Sequence, residues 1–270
     1  MSTSIIEKYN KRATKVNSLV CVGLDADFEK LPEVYKKLGG SEAQYEFNKY
    51  IIDETHEYAS AFKPNAAFYE ARGTEGVEAL KKTMDYIHEN HPDIFTILDA
   101  KRADIGNTNN GYVTSIFDWL GFDAMTINPY LGSEASVPFL DRKDKCSIVL
   151  AKTSNVGAEE FQDCVLDNGE KLWEYVAKKV AHKWNANNNL MIVVGGTKPK
   201  DIARARELTG EMTFLVPGIG AQGGEVKNII TNGINKEKLG LIISSSRGII
   251  FSDNPKEEAK KLRDEINQYR

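Results

Sequence analysis

Eight short runs of apolar and β-branched residues recur along the 270-residue chain, and this repetition constrains the fold more than any other feature. The runs begin at Leu19, Ser60, Ile94, Asp123, Cys146, Leu190, Thr213 and Gly240. They are almost continuously apolar, as expected for parallel strands that are covered on both faces. Segments with helical patterning lie between them, for example from Glu42, Glu75 and Pro255. Eight strand–helix repeats predict an α/β fold, a single-domain (β/α)8 TIM barrel.

The sequence contains no linker or low-complexity tract, so residues 1–270 are predicted to form one domain, with residues 1–18 as an N-terminal helical cover. No GxGxxG motif follows the first apolar run, which argues against a dinucleotide-binding fold. The net charge of −4 gives no basic surface for nucleic acid, and no apolar stretch is long enough to span a membrane. Three scattered cysteines are typical of reduced thiols in a cytoplasmic protein.

Polar or conformationally special residues stand where each apolar run ends. They are Asp25, Lys63, Asp99, Asn128, Ser154, Gly195, Pro217 and Arg247. In a (β/α)8 barrel the carboxyl ends of all strands converge on one face, where active sites lie. We therefore expect these residues to surround a common site.

The third run ends in a concentration of charge, with Asp99, Lys101 and Asp104 in a D-x-K-x-x-D pattern. In an extended chain, Asp99 and Lys101 would point to the same side, with Cα atoms roughly 6–7 Å apart. Lys63, at the end of the second run, would face the same mouth of the barrel. Carboxylates near an ammonium group keep it protonated, so this lysine could stabilise a carbanion and donate a proton to it. This array suits a decarboxylation that uses no electron-sink cofactor.

Glycine-rich sequence follows the seventh run, from Pro217 to Gly224, and Arg247 follows the eighth. The loops after strands 7 and 8 of such barrels often bind phosphate through backbone N–H groups and a helix N-terminus. Glycines allow close approach of the backbone, and an arginine can add a bidentate contact. These loops predict a phosphate site and suit a lid that closes over the ligand.

These motifs resemble the orotidine 5'-phosphate decarboxylase family over essentially the whole chain. The D-x-K-x-x-D signature continues into Ile105 and Thr108, and DAKRADIGNT is similar to the branch typified by bacterial and protozoan enzymes. Further matching segments are Gly23–Asp25, Phe62–Asn65, Thr153–Asn155, Pro217–Ile219, Gln222–Gly224 and Ser246–Arg247.

The resemblance implies conversion of orotidine 5'-monophosphate (OMP) to UMP and CO2 in de novo pyrimidine biosynthesis, without cofactor or metal. It implies a catalytic network of Lys63, Asp99, Lys101 and Asp104, with Lys101 delivering the proton to C6. Asp104, Ile105 and Thr108 would be donated across a homodimer interface. The implied ligand-binding residues are Asp25 and Asn65 for the ribose or its neighbourhood, Ser154 for the pyrimidine amide, Gln222 for the phosphate and base together, and Arg247 with neighbouring N–H groups for the phosphate. Pro217 and Gly223 are further implied substrate-binding residues. An orotate phosphoribosyltransferase, the preceding pathway enzyme, is a candidate partner.

Other barrels remain alternatives. Sibling enzymes with the same signature, 3-keto-gulonate phosphate decarboxylase and hexulose phosphate synthase, use Mg²⁺ and place a carboxylate at the end of the second strand, where this chain has Lys63. A ribulose-phosphate epimerase would need histidines at strand ends, whereas the four histidines here fall in or beside helical segments. A non-catalytic phosphate-binding barrel would explain Arg247 but not the charges of the third run.

Overall fold

A computed structural model describes residues 4–218 and 223–270. Eight parallel strands form a closed barrel in chain order, and the eighth strand pairs with the first. The strands are β1 Val20–Gly23, β2 Ala61–Lys63, β3 Phe95–Arg102, β4 Ala124–Ile127, β5 Cys146–Lys152, β6 Leu190–Val194, β7 Phe214–Pro217 and β8 Leu241–Ser245. Each coincides with one of the eight apolar runs, so the predicted (β/α)8 TIM barrel is confirmed.

Helices alternate with the strands and form the outer layer. They are α1 Ile5–Lys15, α2 Glu33–Lys36, α3 Glu42–Thr55, α4 Ala66–Glu70, α5 Gly73–Asn90, α6 Gly106–Val113, α7 Gly132–Leu140, α8 Leu172–Lys179, α9 Pro199–Thr209, α10 Gly223–Gly233, α11 Arg247–Ile250 and α12 Pro255–Asn267. Two π-helical turns, Thr114–Trp119 and Val180–Trp184, extend α6 and α8, and short 3₁₀ helices span Phe28–Lys30 and Val156–Glu160. The helices predicted from Glu42, Glu75 and Pro255 are α3, α5 and α12.

The strands are buried over most of their length, because helices cover their outer side and neighbouring side chains fill the barrel interior. Every residue of β1, β2, β4 and β6 is buried. β3 differs, since its first four residues are buried and its last four, from Asp99 to Arg102, are partly or fully accessible. The chain thus becomes polar at the carboxyl-terminal mouth of the barrel.

Helix α1 packs across the opposite, amino-terminal end of the barrel. The Tyr9 hydroxyl donates a hydrogen bond of 2.5 Å to the carbonyl of Leu241, the first residue of β8. Lys8 forms a 2.7 Å ion pair with Asp123, the residue before β4. Helix α1 therefore covers the end of the barrel opposite the mouth. In the described part of the chain, no helix combines the length and apolar character needed to cross a bilayer.

Candidate active site

Asp99 lies at the centre of a cluster of three charged side chains at the barrel mouth. Its Oδ2 is 3.2 Å from the Nζ of Lys63, the last residue of β2, and its Oδ1 is 2.6 Å from the Nζ of Lys101. The side chains of Lys63 and Asp99 are only 6% and 12% exposed, whereas that of Lys101 is 48% exposed. We call Lys63, Asp99 and Lys101 the charge cluster; its accessible member is the one predicted to transfer a proton.

The charge cluster fixes the ionisation of its buried members. Burial by itself raises the pKa of Asp99, but the ammonium groups of Lys63 and Lys101 outweigh it and lower this pKa to about 2. Burial acts on Lys63 in the opposite sense and lowers its pKa, yet the carboxylates of Asp99 and Asp25 together hold that pKa above its ordinary value. Both groups are therefore charged near neutral pH.

A bulge in β3, rather than regular strand alternation, brings Lys101 to Asp99. The pairing of β3 with β4 is regular as far as Leu98 and resumes at Arg102, so three residues of β3 stand opposite Thr126 alone. Lys101 has a left-handed backbone conformation, with φ of +49°. Bulges of this kind redirect side chains and are common beside active sites. The expectation of an extended geometry was wrong, although the two side chains do meet.

Thr126 joins the bulge to the charge cluster, a role that was not predicted from the sequence. Its hydroxyl accepts a hydrogen bond of 2.9 Å from the backbone N–H of Lys101 and donates one of 2.9 Å to Oδ1 of Asp99. Its residue exposure is 1%. A threonine within a strand is ordinary by propensity, so its sequence carries no signal. Only the register against β3 reveals its role.

Asp25 and Asn65 lie next to the charge cluster, as expected for residues at the ends of β1 and β2. The backbone N–H of Asn65 donates to Oδ1 of Asp25 at 3.1 Å, and its side-chain amide lies 3.5 Å from Oδ2 of Asp99. The Asn65 side-chain oxygen also caps α4 by accepting from the N–H of Ala67. Helix α4 therefore holds this loop in place.

A single chain does not bring Asp104 to Lys101. Among the described residues, the Asp104 carboxylate makes no ion pair; it accepts a hydrogen bond of 2.7 Å from the N–H of Ile105, and the Asp104 N–H donates to Asn109. Ile105 is 62% exposed, and Thr108 is also exposed. These three predicted residues thus lie on an accessible surface beside the mouth.

The residues predicted to hold phosphate follow β7 and β8. Pro217 ends β7, Gly223 begins α10, and Arg247 is the exposed first residue of α11. Gln222 lies outside the described residues. Since β7 and β8 are neighbours in the closed barrel, the described members of this set lie at the same mouth as the charge cluster.

Ser154, directly beyond β5, is exposed at the mouth and packs closely against the end of β6. A Cβ atom placed on Gly195 would stand 2.9 Å from the backbone nitrogen of Ser154 and 3.0 Å from its Cβ. Such distances are too short for any side chain, so glycine at this position permits the approach. Within the described residues, no group of three or more His, Cys, Asp or Glu is placed to hold a metal ion.

Fold and site together define a (β/α)8-barrel protein with a carboxylate-centred charge cluster at its mouth. A family model described as Orotidine 5'-phosphate decarboxylase / HUMPS family matches residues 18–262, and the chain belongs to this family. It is 43% identical over 260 residues to the orotidine 5'-phosphate decarboxylase of Cellvibrio japonicus, covering 96% of this chain and 94% of that protein.

Two solved structures from Leishmania donovani are similar to the whole barrel. The OMP decarboxylase has a TM-score of 0.88 and 38% identity, covering 99% of this chain and 98% of that one. The UMP synthase has a TM-score of 0.89 and 40% identity, covering 99% of this chain and 57% of that one.

Proposed function

We propose that this protein is a carboxy-lyase that converts OMP to UMP and CO2 in de novo pyrimidine biosynthesis. The observation that carries the proposal is the charge cluster, with an accessible ammonium group held 2.6 Å from a buried, ionised carboxylate. Membership of the orotidine 5'-phosphate decarboxylase family indicates that the substrate is OMP. The buried Lys63 stands where the Mg²⁺-dependent siblings would hold a carboxylate, which favours OMP decarboxylation over their reactions.

The reaction develops negative charge at C6 of the pyrimidine, and the site must stabilise that charge. When the bond from C6 to the substrate carboxylate breaks, CO2 leaves and the electron pair stays on C6. The ammonium group of Lys101 stabilises this carbanion and then transfers a proton to C6, forming UMP. The neutral amine regains a proton from solvent. Asp99 orients Lys101, and Lys63 keeps Asp99 ionised.

Binding energy from the remote phosphate supports this reaction. In the proposed complex, interactions far from C6 position the reacting carbon against Lys101. The residues assigned to the ligand are Asp25 and Asn65 at or near the ribose, Ser154 at the pyrimidine amide, Gln222 at both phosphate and base, and Pro217, Gly223 and Arg247 at the phosphate end. The position of the described members of this set around one mouth supports the assignment.

We infer that the active unit is a homodimer in which Asp104, Ile105 and Thr108 enter the partner's site. The exposed side chain of Ile105 and the absence of an ion pair at Asp104 among the described residues support this arrangement. Mixing inactive Lys101→Ala with inactive Asp104→Ala protein is expected to regenerate activity, because hybrid dimers would contain one intact site. No recovery after confirmed subunit exchange would contradict a shared site.

A direct assay tests the activity itself. Purified protein is mixed with OMP in the presence of EDTA, and the loss of orotate-ring absorbance and the formation of UMP are followed. We expect turnover that survives the chelator; turnover that requires Mg²⁺ would instead indicate a sibling reaction. Lys101→Ala is expected to remove nearly all turnover while UMP still binds, and Lys37→Ala, at an exposed position of the same barrel, serves as the control.

The proposed function also implies a cellular context. We infer a cytoplasmic location, consistent with unpaired thiols at the buried Cys21 and Cys146. We name an orotate phosphoribosyltransferase as the candidate partner, and co-elution of the two purified enzymes would test the association. Residues 1–270 are proposed to act as one domain, with residues 1–18 as its cover.

A further inference from the structure

In the segment between β5 and α8, the side chain of Gln162 forms two hydrogen bonds with Thr153. We call this pair of contacts the Gln162 clamp; the proposed chemistry does not use it. The Oε1 atom of Gln162 accepts a hydrogen bond of 2.8 Å from the backbone N–H of Thr153, and its Nε2 donates one of 2.8 Å to the Thr153 hydroxyl. That hydroxyl donates onward to Oδ1 of Asn155 at 2.6 Å. One carboxamide thus fixes the residues on both sides of Ser154, directly at Thr153 and through its hydroxyl at Asn155.

Gln162 can hold this loop because its own backbone is fixed. Its N–H donates to the carbonyl of Ala158 at 2.9 Å, and its carbonyl accepts from the N–H of Trp173 at 3.0 Å. Trp173 lies in the first turn of α8 and is 2% exposed. The position of the carboxamide is therefore set by the packing of α8 against the barrel.

A buried ion pair beside Gln162 attaches the same segment to β5. The Nζ of Lys152, the last residue of β5, is 2.8 Å from Oδ1 of Asp163, and the lysine side chain is 3% exposed. The carbonyl of Lys152 accepts from the N–H of Gly195 on the other side. The successive residues Lys152 and Thr153 are thus held by Asp163 and Gln162, respectively. Removing one member of such a buried ion pair would leave the other charge buried without a partner.

We propose that Gln162 is a positioning residue that holds Ser154 in register to recognise the amide edge of a uracil-like base. The proposal rests on the function proposed above and adds the group that sets base recognition. Ser154 itself is exposed, and its backbone is confined on one side by Gly195. The Gln162 clamp confines the backbone on the other side. An ordered backbone reduces the entropy that binding must otherwise remove.

Affinities for UMP and for ribose 5-phosphate, which lacks the base, separate positioning from general stability. We expect Gln162→Ala to weaken UMP binding about tenfold, the scale of one or two hydrogen bonds, and to change ribose 5-phosphate binding less than twofold. Gln162→Glu keeps the acceptor for the Thr153 N–H and is expected to recover part of the loss. Asn168→Ala, an exposed amide of the same segment, is the matched control and should leave both affinities unchanged.

A double-mutant cycle tests whether Gln162 acts through Ser154. In a Ser154→Ala background, Gln162→Ala should weaken UMP binding by less than twofold, because the group that it positions is already absent. Equal losses for UMP and ribose 5-phosphate, a lower melting temperature with unchanged affinities, or full additivity in the cycle would each overturn the proposal. Failure of the proposed function would look different, since the unaltered protein would then neither bind UMP nor decarboxylate OMP.

Discussion

Asp99→Asn is the most informative single substitution, because it removes one charge and leaves the shape of the side chain nearly unchanged. In the folded protein the pKa of Asp99 is lowered from 3.8 to about 2, and this shift corresponds to about 2.5 kcal/mol of interaction with the charged form. The substitution also leaves Lys63, 6% exposed, without its ion-pair partner. Removing one member of a buried pair costs about 3–5 kcal/mol. We expect the free energy of unfolding to fall by about 2.5–5 kcal/mol.

Chemical denaturation near pH 7, followed by circular dichroism, measures this loss. Asp85→Asn is the matched control, because Asp85 pairs with Lys81 on the surface of α5 and is 48% exposed. Surface pairs of this spacing contribute about 0.3–0.5 kcal/mol. A loss below about 1 kcal/mol for Asp99→Asn would refute the argument that this buried pair stabilises the mouth.

The pH dependence supplies a second check with a defined sign. A carboxyl group whose pKa is depressed on folding stabilises the protein fully above its unfolded pKa, and this contribution is lost as the pH falls through its folded pKa. The stability difference between wild type and Asp99→Asn should therefore be constant above about pH 5 and shrink as the pH falls from about 4 towards 2. A difference that grew on acidification would contradict the assignment of the low pKa to Asp99.

Three further predictions concern the walls of the site. Thr126→Val, which removes a hydroxyl joining two members of the charge cluster, should lower kcat about tenfold or more and change UMP affinity little. An unchanged kcat would exclude a catalytic role for this hydroxyl. Gly195→Ala should weaken UMP binding, because the new Cβ would stand 2.9 Å from the backbone of Ser154. Gly157→Ala is the control and should leave the affinity unchanged, because its Cβ would stand 3.4 Å from its nearest neighbour. Calorimetry of UMP binding to both variants measures the difference. Arg247→Ala should raise KM for OMP, and added phosphite should partly restore turnover; unchanged KM would remove Arg247 from the phosphate site.

The sequence was a good guide to the barrel because burial on both faces of a parallel strand leaves a continuous apolar run. All eight strands were predicted for this reason, and helical patterning predicted α3, α5 and α12 as well as the N-terminal helix. Strand ends were also predictable, since polar residues at the end of a buried run must face the barrel mouth. Asp25, Lys63 and Asp99 were located in this way, Asn65 came from the family resemblance, and the structure brings the four together.

Local geometry was less predictable, because it depends on residues that are distant in the sequence and adjacent in the fold. The regular alternation expected from Asp99 to Lys101 is replaced by a bulge, and no local signal in DAKRAD announces it. Thr126 and Gln162 were missed for the same reason, since threonine in a strand and glutamine in a loop are ordinary residues until their partners are known. Asp104 was expected beside Lys101 only through a second subunit, and that arrangement stays a prediction.

The sequence by itself determined the closed barrel, the face on which the site lies and the types of charge available there. These properties depend on burial patterns and strand ends, which are local features of the sequence. The tertiary structure decided how those charges are used. It set the register that places Thr126 under the bulge, the distances that lower the pKa of Asp99, and the packing of α8 that gives Gln162 a fixed position. Such properties arise between residues far apart in the chain, and the physical reason is that electrostatic and hydrogen-bond energies depend on distances that only folding creates.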